Sequence, residues 1–204
     1  MDLIHIFILS IIQGITEFLP ISSQSHLILT SYLLGLKDQG LGFDIALHFG
    51  SLIAILIYYR KEIRSLLSLN DEGVNYLKLV IIGSIPLPIV GLLFIDIVSQ
   101  NMRSVFSIAS MTILFAVILY LADLKKKEVV TKFANISIYT IIFIGLMQTL
   151  AIMPGVSRSG IVITAALLAN FSREDSIKIA FLLSIPAIFM ATVYQSVQLY
   201  DVGN

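Results

Sequence analysis

The sequence predicts an all-α integral membrane protein that crosses the bilayer several times. Of its 204 residues, 57% are hydrophobic and only 13% are charged, and the mean hydropathy is +0.95. Soluble domains average about 25% charged residues, so soluble and disordered classes are excluded. Basic and acidic residues balance at 13 each, which leaves no positive surplus for a phosphate backbone, and no nucleic-acid partner is expected. The absence of cysteine excludes disulfides and thiolate sites.

Long uncharged apolar runs predict the membrane-spanning helices, because roughly 20 helical residues cross about 30 Å of hydrocarbon. Four such runs cover residues 79–95, 104–122, 133–157 and 179–200. A fifth segment, 43–59, becomes long enough to span when it starts at Phe43. Pro86 lies inside the first run and predicts a kink there, since proline has no backbone N–H to continue a helix.

Two apolar segments are interrupted midway by polar residues. Residues 1–36 break near Pro20, and residues 133–171 break at Met153 to Gly160. Proline and the residue before it disfavour a continuous helix, and non-helical backbone at membrane depth must be covered by protein or by a wet cavity. We therefore predict two re-entrant helical hairpins whose breaks form one buried polar site.

The two broken segments resemble each other in sequence. When the second is laid on the first, five residues coincide in type: Pro20, Ser23, Ser25, Ile45 and Ala46 match Pro154, Ser157, Ser159, Ile179 and Ala180. Such duplication is typical of inverted-repeat membrane proteins. We predict one membrane domain, 1–204, with a first repeat over 1–122 (hairpin 1–36 plus three spans) and a second over 133–204 (hairpin 133–171 plus one span). Counterparts of the last two spans would lie beyond Asn204, so we expect the second repeat to be incomplete here, either as a natural short form or because further residues are absent.

Basic residues support this topology, because they collect in cytoplasmic loops. With re-entrant hairpins, one face carries Arg60, Lys61, Arg64, Lys78, Lys125, Lys126, Lys127, Lys132, Arg173 and Lys178. Only Lys37 and Arg103 fall on the other face. This bias predicts that the first hairpin enters from outside and the second from the cytoplasm. We expect a multi-pass protein of the plasma membrane.

Ionisable residues in the apolar segments mark the candidate site, since each costs at least about 2.5–3.5 kcal/mol in hydrocarbon. Three such groups matter most here: Glu17, His26 and Arg158. The planar guanidinium of Arg158 suits a phosphate or carboxylate. A helix that begins near Ser159 would add free N–H groups to an anion site. The alternative is that Arg158 only neutralises Glu17.

Ser23 and His26 are three residues apart and share one face of a helical turn. A hydroxyl beside an imidazole is the minimum for an activated nucleophile, and Glu17 is the nearest carboxylate that could orient the ring. Attack by Ser23, His26 or water stays open.

Two other pairs have four-residue spacing. Gln13 and Glu17 could hold a hard cation together with substrate phosphates. Asp44 and His48 form either a local hydrogen-bonded pair or an outer support of the site. We expect further substrate contacts from Gln13, Ser22, Ser157, Ser159, Gly155 and Gly160.

The segments from Gln13 to Leu27 and from Pro154 to Gly160 resemble the two signatures of the undecaprenyl-diphosphatase family of the bacitracin-resistance type. This resemblance implies a membrane hydrolase that removes the terminal phosphate of a polyprenyl diphosphate, and a dependence on a divalent cation, Mg or Ca. It implies essential roles for Glu17, Ser23, His26 and Arg158. The sequence departs from the family at Gln24-Ser25, where members more often have Thr-Gly, Ser-Gly or Lys-Ala.

The expected partners are therefore the polyprenyl diphosphate and membrane lipids, with a homodimer as an open alternative. The pocket is expected to open toward the outer leaflet, with the isoprenoid tail in an apolar groove. Two other functions stay open. Inverted repeats with broken helices are also a transport architecture, so the chain could be a lipid flippase or transporter, or it could be an inactive short homologue.

Overall fold

The computed structural model describes residues 3–35, 41–67, 71–102, 104–125, 131 and 136–202. The helices are α1 (Leu3–Thr16), α2 (Ser23–Leu33), α3 (Leu41–Tyr58), α4 (Arg60–Leu67), α5 (Asp71–Ser84), α6 (Pro86–Asn101), α7 (Val105–Leu124), α8 (Ile138–Gln148), α9 (Arg158–Leu168) and α10 (Arg173–Val202). A 3₁₀ turn, Thr149–Ile152, follows α8. No extended strand forms in this described part, and the all-α class is confirmed.

Three described stretches are apolar and long enough to cross a bilayer. They are Tyr76–Ile95, which runs through α5 and α6, Val105–Leu124 and Arg173–Tyr200. They coincide with the predicted spans 79–95, 104–122 and 179–200, and the other apolar helices are shorter. The polytopic membrane class is confirmed by these helices.

Two predicted spans differ from the structure. Helix α3 has 18 residues, or about 27 Å at 1.5 Å per residue, which is short of about 30 Å of hydrocarbon. The run 133–157 is not one helix, because α8 ends at Gln148. Residues 132–135 lie outside the described residues, as do five basic residues of the charge prediction, Lys37, Arg103, Lys126, Lys127 and Lys132.

The first break lies where the sequence predicts it. Backbone bonds of the helical type continue to Leu19, whose N–H donates to the Ile15 carbonyl at 3.3 Å. Pro20 has no N–H to donate, so the helix stops. Helix α2 then starts with Ser22, whose hydroxyl accepts from the Ser25 N–H at 3.4 Å. Serine is a preferred residue at this capping position because it satisfies an N–H that has no partner within the helix.

The second break, like the first, is followed by a helix that a serine hydroxyl caps. After the 3₁₀ turn, Gly155 adopts a φ of 92°, which a residue without a Cβ adopts easily. Ser157 caps α9, and its hydroxyl accepts from the Gly160 N–H at 3.2 Å. Helix α9 ends at Leu168, and Asn170 just beyond it has a φ of 67°. The Phe171 N–H donates back to the Ala166 carbonyl at 3.0 Å, the pattern of a Schellman motif.

Helix α9 lies at the centre of the molecule. Its residues 159–167 are all buried, and it packs against α7, α8 and α10. A helix that is buried all round needs apolar side chains on every face, as in the sequence from Ile161 to Leu168. Helix α10 also packs along α3. Gly42 lies against Leu199, and the rings of Tyr59 and Phe181 are 5.9 Å apart, so α3 and α10 are antiparallel.

Ion pairs join three segments at one end of the bundle. Arg173 at the start of α10 donates to Asp123 at the end of α7 through two bonds of 2.6 and 2.7 Å. Lys178 of α10 lies 3.6 Å from Glu62 of α4. These contacts agree with the prediction that their basic residues share one face, and the orientation of that face relative to the bilayer stays a prediction.

Helices α5 and α8 touch through backbone atoms at the predicted kink. The chain bends between Ser84 and Pro86, where α5 ends and α6 begins. A Cβ on Gly145 would lie 2.6 Å from the Gly83 carbonyl oxygen. The amide of Gln148 donates to the same carbonyl at 3.4 Å. The absence of a side chain at Gly145 therefore sets the distance between the kinked span and the second hairpin.

Gly145→Ala should destabilise the protein, because the added methyl group meets backbone rather than a flexible side chain. Overpacking of this kind costs roughly 1–3 kcal/mol. The matched control is Gly91→Ala in α6, where an added Cβ meets nothing within 4 Å. The free energy of unfolding in detergent should fall for the first variant and stay near wild type for the second. Equal values for both would contradict the close contact.

Candidate active site

Glu17 lies at the junction of the two breaks. Its side chain is 7% exposed, and its Oε1 accepts from Arg158 Nη2 at 2.6 Å. Its Oε2 accepts from the Ser23 hydroxyl at 2.7 Å. The first hairpin therefore supplies a carboxylate and a hydroxyl, and the second supplies the guanidinium. Glu17, Ser23 and Arg158, which the sequence analysis selected as candidate site residues, are therefore in direct contact.

Arg158 keeps one donor free. Its side chain is 17% exposed, and its Nη1 is buried with no hydrogen-bond partner among the described residues. A buried donor without a partner costs about 1–3 kcal/mol, so such a group is typical of a site that awaits a ligand. The neutralising pair with Glu17 is thus present, and it leaves half of the guanidinium available to an anion.

Ser23 and His26 are not arranged as the sequence suggested. The single hydrogen of the Ser23 hydroxyl points to Glu17 rather than to the ring. His26 Nδ1 lies 2.7 Å from the Ser22 carbonyl oxygen. Since a carbonyl only accepts, Nδ1 carries the hydrogen, and Nε2 keeps a lone pair in the neutral ring. The Ser22 carbonyl already holds Nδ1, so Glu17 is not needed to fix it, and a role of Glu17 in orienting the ring stays a prediction.

Ser159 and Gly160 lock the breaks together. Ser159 is 4% exposed, and its hydroxyl donates to the Leu19 carbonyl at 2.9 Å. A Cβ on Gly160 would lie 3.3 Å from the Pro20 carbonyl oxygen. The carbonyls freed by the first break therefore meet small residues of the second. These contacts give Ser159 and Gly160 a structural role, because they join the two breaks. Contact of either residue with substrate stays a prediction.

The other predicted binding residues also shape the backbone. Ser22 and Ser157 are the caps described above. A Cβ on Gly155 would collide with the Ile108 carbonyl of α7, and Thr112 of α7 donates to the Gly155 carbonyl at 3.0 Å. Nothing in the sequence pattern pointed to Thr112, whose hydroxyl fixes the loop that leads to Arg158.

Gln13 carries the candidate cation ligand. Its Nε2 donates to Glu17 Oε2 at 3.2 Å, and its Oε1 is buried with no partner in the described chain. Residues placed by the structure contain no group of three or more His, Cys, Asp or Glu that could hold a metal. Since Glu17 is already bonded to Arg158 and Ser23, the residues fit a divalent cation only as one shared with the oxygens of a phosphate ligand.

Helix α3 forms a further side of the site. His48 Nε2 lies 3.8 Å from Glu17 Oε2, and His48 Nδ1 lies 2.8 Å from the Asp44 carbonyl oxygen. The Ser51 hydroxyl lies 3.5 Å from Gln13 Nε2. The four-residue spacing of Asp44 and His48 predicted a local bond between these residues as one of two possibilities. The contacts of His48 and Ser51 with α1 depend on helix packing, and no feature of the sequence indicated them.

Comparisons with known proteins agree with this site. The family model described as "Bacitracin resistance protein BacA" matches residues 6–203. The undecaprenyl-diphosphatase of Campylobacter curvus is 47% identical over 98% of this chain and 78% of its own. That of Elusimicrobium minutum is 47% identical over 95% and 76%. That of Saccharophagus degradans is 42% identical over 100% and 80%.

All three relatives carry the name of a phosphatase, so the flippase or transporter interpretation is not favoured. The matched region contains both broken helices and every residue that contacts Glu17 in the structure. Because the family model matches residues 6–203 of the chain and the relatives have this similarity, the chain belongs to the BacA family of bacitracin resistance proteins.

Proposed function

We propose that the protein hydrolyses undecaprenyl diphosphate, or a similar polyprenyl diphosphate, to the monophosphate and inorganic phosphate, and so recycles a lipid carrier. The observation that carries this proposal is the buried cluster of Glu17, Ser23 and Arg158 at the junction of the two breaks, in a chain of the BacA family. This cluster supports the proposal because it offers a hydroxyl, a carboxylate and a free cationic donor to one phosphate.

Arg158 binds the diphosphate in this mechanism. Glu17 fixes the guanidinium through Nη2, and the partnerless Nη1 donates to a phosphate oxygen. Charge spreads over the transferred phosphoryl oxygens in the transition state, and preorganised donors in a water-poor site stabilise it strongly. The N–H groups at the start of α9 add to the positive potential that stabilises the negative charge of the phosphate.

Ser23 is the proposed nucleophile. Its Oγ attacks the terminal phosphorus while its proton passes to Glu17 Oε2, the bond from phosphorus to the bridging oxygen breaks, and the prenyl monophosphate leaves. His26 Nε2 then takes a proton from water, whose oxygen attacks the phosphoserine. The P–Oγ bond breaks, Ser23 regains its proton from Glu17, His26 passes its proton to the departing phosphate, and inorganic phosphate leaves. One water is consumed in each cycle.

A divalent cation, Mg or Ca, belongs to the same proposal. Gln13 Oε1 is the protein oxygen free to hold it, with Glu17 nearby and the diphosphate supplying the remaining oxygens. Such a cation would neutralise phosphate charge. The steps above depend only on residues of the chain.

The membrane setting supports a lipid substrate. Among the described residues, three apolar stretches are long enough to span a bilayer, and many large apolar side chains are exposed, among them Phe7, Leu92 and Phe106. We propose that the isoprenoid tail stays among such apolar surfaces in the plasma membrane while the diphosphate enters from the outer face. The orientation rests on the positive charge bias of the sequence, and a homodimer remains an open part of the proposal.

Arg158→Ala should reduce phosphate release by about 10²–10³-fold, the usual cost of losing one transition-state donor. Arg158→Lys should recover little, because an ammonium cannot hold Glu17 and a phosphate in the same planar arrangement. The control is Arg173→Ala, which removes an exposed ion pair with Asp123. The measurement is inorganic phosphate released from a long-chain polyprenyl diphosphate in detergent. Wild-type rates for Arg158→Ala, or lipid movement in vesicles without phosphate release, would refute the proposal.

Ser23→Ala should abolish the covalent step, whereas Ser25→Ala, two residues along the same helix, should retain it. His26→Gln should lower turnover by about 10²–10⁴-fold, the range for loss of a general base, and should accumulate phosphoserine. Mass spectrometry of the quenched reaction detects the modified Ser23. Absence of phosphoserine in His26→Gln, together with hydrolysis by Ser23→Ala, would show that water attacks directly.

A further inference from the structure

The loop that leads to Arg158 contacts α7 in two ways. Gly155 in this loop has a φ of 92°, and a Cβ on it would collide with the Ile108 carbonyl oxygen of α7. The hydroxyl of Thr112, four residues further along α7, lies 3.0 Å from the Gly155 carbonyl oxygen. The backbone contact prevents a closer approach of the loop to the helix, and the hydrogen bond opposes their separation.

The Gly155 carbonyl depends on the Thr112 hydroxyl for its hydrogen bond. The hydroxyl carries one hydrogen and also lies 2.9 Å from the Ile108 carbonyl oxygen. That second carbonyl already accepts from the Thr112 backbone N–H, as in any α-helix. For the Gly155 carbonyl, the hydroxyl is the donor found in the described part of the chain. Its removal therefore leaves the loop carbonyl without a donor at a depth where hydrocarbon supplies none.

The residues between Gly155 and Arg158 transmit this contact to the site. Val156 is buried, and its N–H closes a turn within the loop. Ser157 caps α9, and Arg158 is the first residue of that helix. A shift of the Gly155 peptide therefore moves the start of α9, where one bond of 2.6 Å joins the Arg158 guanidinium to Glu17.

Helix α7 is a firm support for the loop. It packs along α9, and near its end Asp123 accepts two bonds from Arg173, which follows α9 in the chain. Thr112 bonds to the residue group that precedes α9. Because α7 is bonded to the chain before and after α9, that helix cannot slide along α7 without breaking one of these contacts.

We propose that Thr112 is a positioning residue, whose hydroxyl holds the Gly155 loop against α7 and so sets the place from which Arg158 meets Glu17 and a phosphate ligand. The kinetic consequence of this role rests on the proposed hydrolysis, whereas the placement of the loop does not. Thr112 acts through the loop backbone and touches no reacting atom.

Three substitutions of Thr112 separate the hydroxyl from the packing of the side chain. Thr112→Ser keeps the hydroxyl and loses the methyl group, Thr112→Val keeps the size and loses the hydroxyl, and Thr112→Ala loses both groups. The matched control is Ser110→Ala, which removes a hydroxyl from an exposed position of the same helix. All are compared as full-length protein in detergent, at a temperature below the unfolding midpoint measured for each.

We expect kcat for phosphate release from a long-chain polyprenyl diphosphate to fall about tenfold to a hundredfold in Thr112→Ala and Thr112→Val, as for a misplaced catalytic group. KM should change little, because the apolar tail is still bound. Thr112→Ser and Ser110→Ala should keep kcat near the wild-type value. Equal kcat values for Thr112→Ser and Thr112→Ala, whether both are slow or both are near wild type, would overturn the role.

Backbone hydrogen exchange tests the same contact without catalysis. Mass spectrometry should show that the amides of residues 155–161 exchange about twofold to tenfold faster in Thr112→Ala and Thr112→Val, as expected for the loss of one hydrogen bond. Thr112→Ser should exchange like wild type, and peptides of α3 should be unchanged in every variant. A wild-type protein that releases no phosphate would refute the proposed function alone. Unchanged exchange over 155–161 in Thr112→Ala and Thr112→Val would overturn the positioning role.

Discussion

The ion pair between Glu17 and Arg158 is the constraint on which the rest of the structure depends. A charge left without a partner in a protein interior costs about 3–5 kcal/mol, and each broken hairpin supplies one of the two charges. Neither break is therefore stable at depth without the other. The central position of α9, which is buried along 159–167, follows from the same requirement, because Arg158 begins that helix and must meet Glu17 inside the protein.

The breaks also expose backbone groups that hydrocarbon cannot satisfy, and nearby small polar residues satisfy several of them. Ser22 and Ser157 cap the two helices that follow the breaks, Ser159 donates to Leu19, and Thr112 donates to Gly155. Two atoms at the junction remain without partners in the described chain: Gln13 Oε1 and Arg158 Nη1. Gln13 Oε1 can hold a cation and Arg158 Nη1 can donate to an oxygen, so together they suit a phosphate that carries a cation. A rigid frame around two free groups is the preorganisation that phosphoryl transfer requires.

Placing this frame inside an apolar protein suits a substrate with a long isoprenoid tail. The diphosphate must meet polar groups while the tail stays among apolar side chains. Helices α7 and α10, both long enough to span a membrane, pack against α9, which begins at the polar junction. The short helix α3 has a separate importance. It packs between the hairpin helix α1 and the long helix α10, and it carries His48 to the oxygen of Glu17 that Arg158 leaves free. The carboxylate is thus contacted from both hairpins and from α3.

The sequence by itself determined the membrane class, the two helix breaks and the kink at Pro86, because composition, proline and serine caps act on the local backbone. It also pointed to Glu17 and Arg158, since buried charges are rare enough to stand out. Only the tertiary structure decided which groups meet. Ser23 turns to Glu17 rather than to His26, and His48 reaches across from α3. Such contacts depend on the angles and distances at which helices far apart in the chain pack, and no spacing within one helix encodes them.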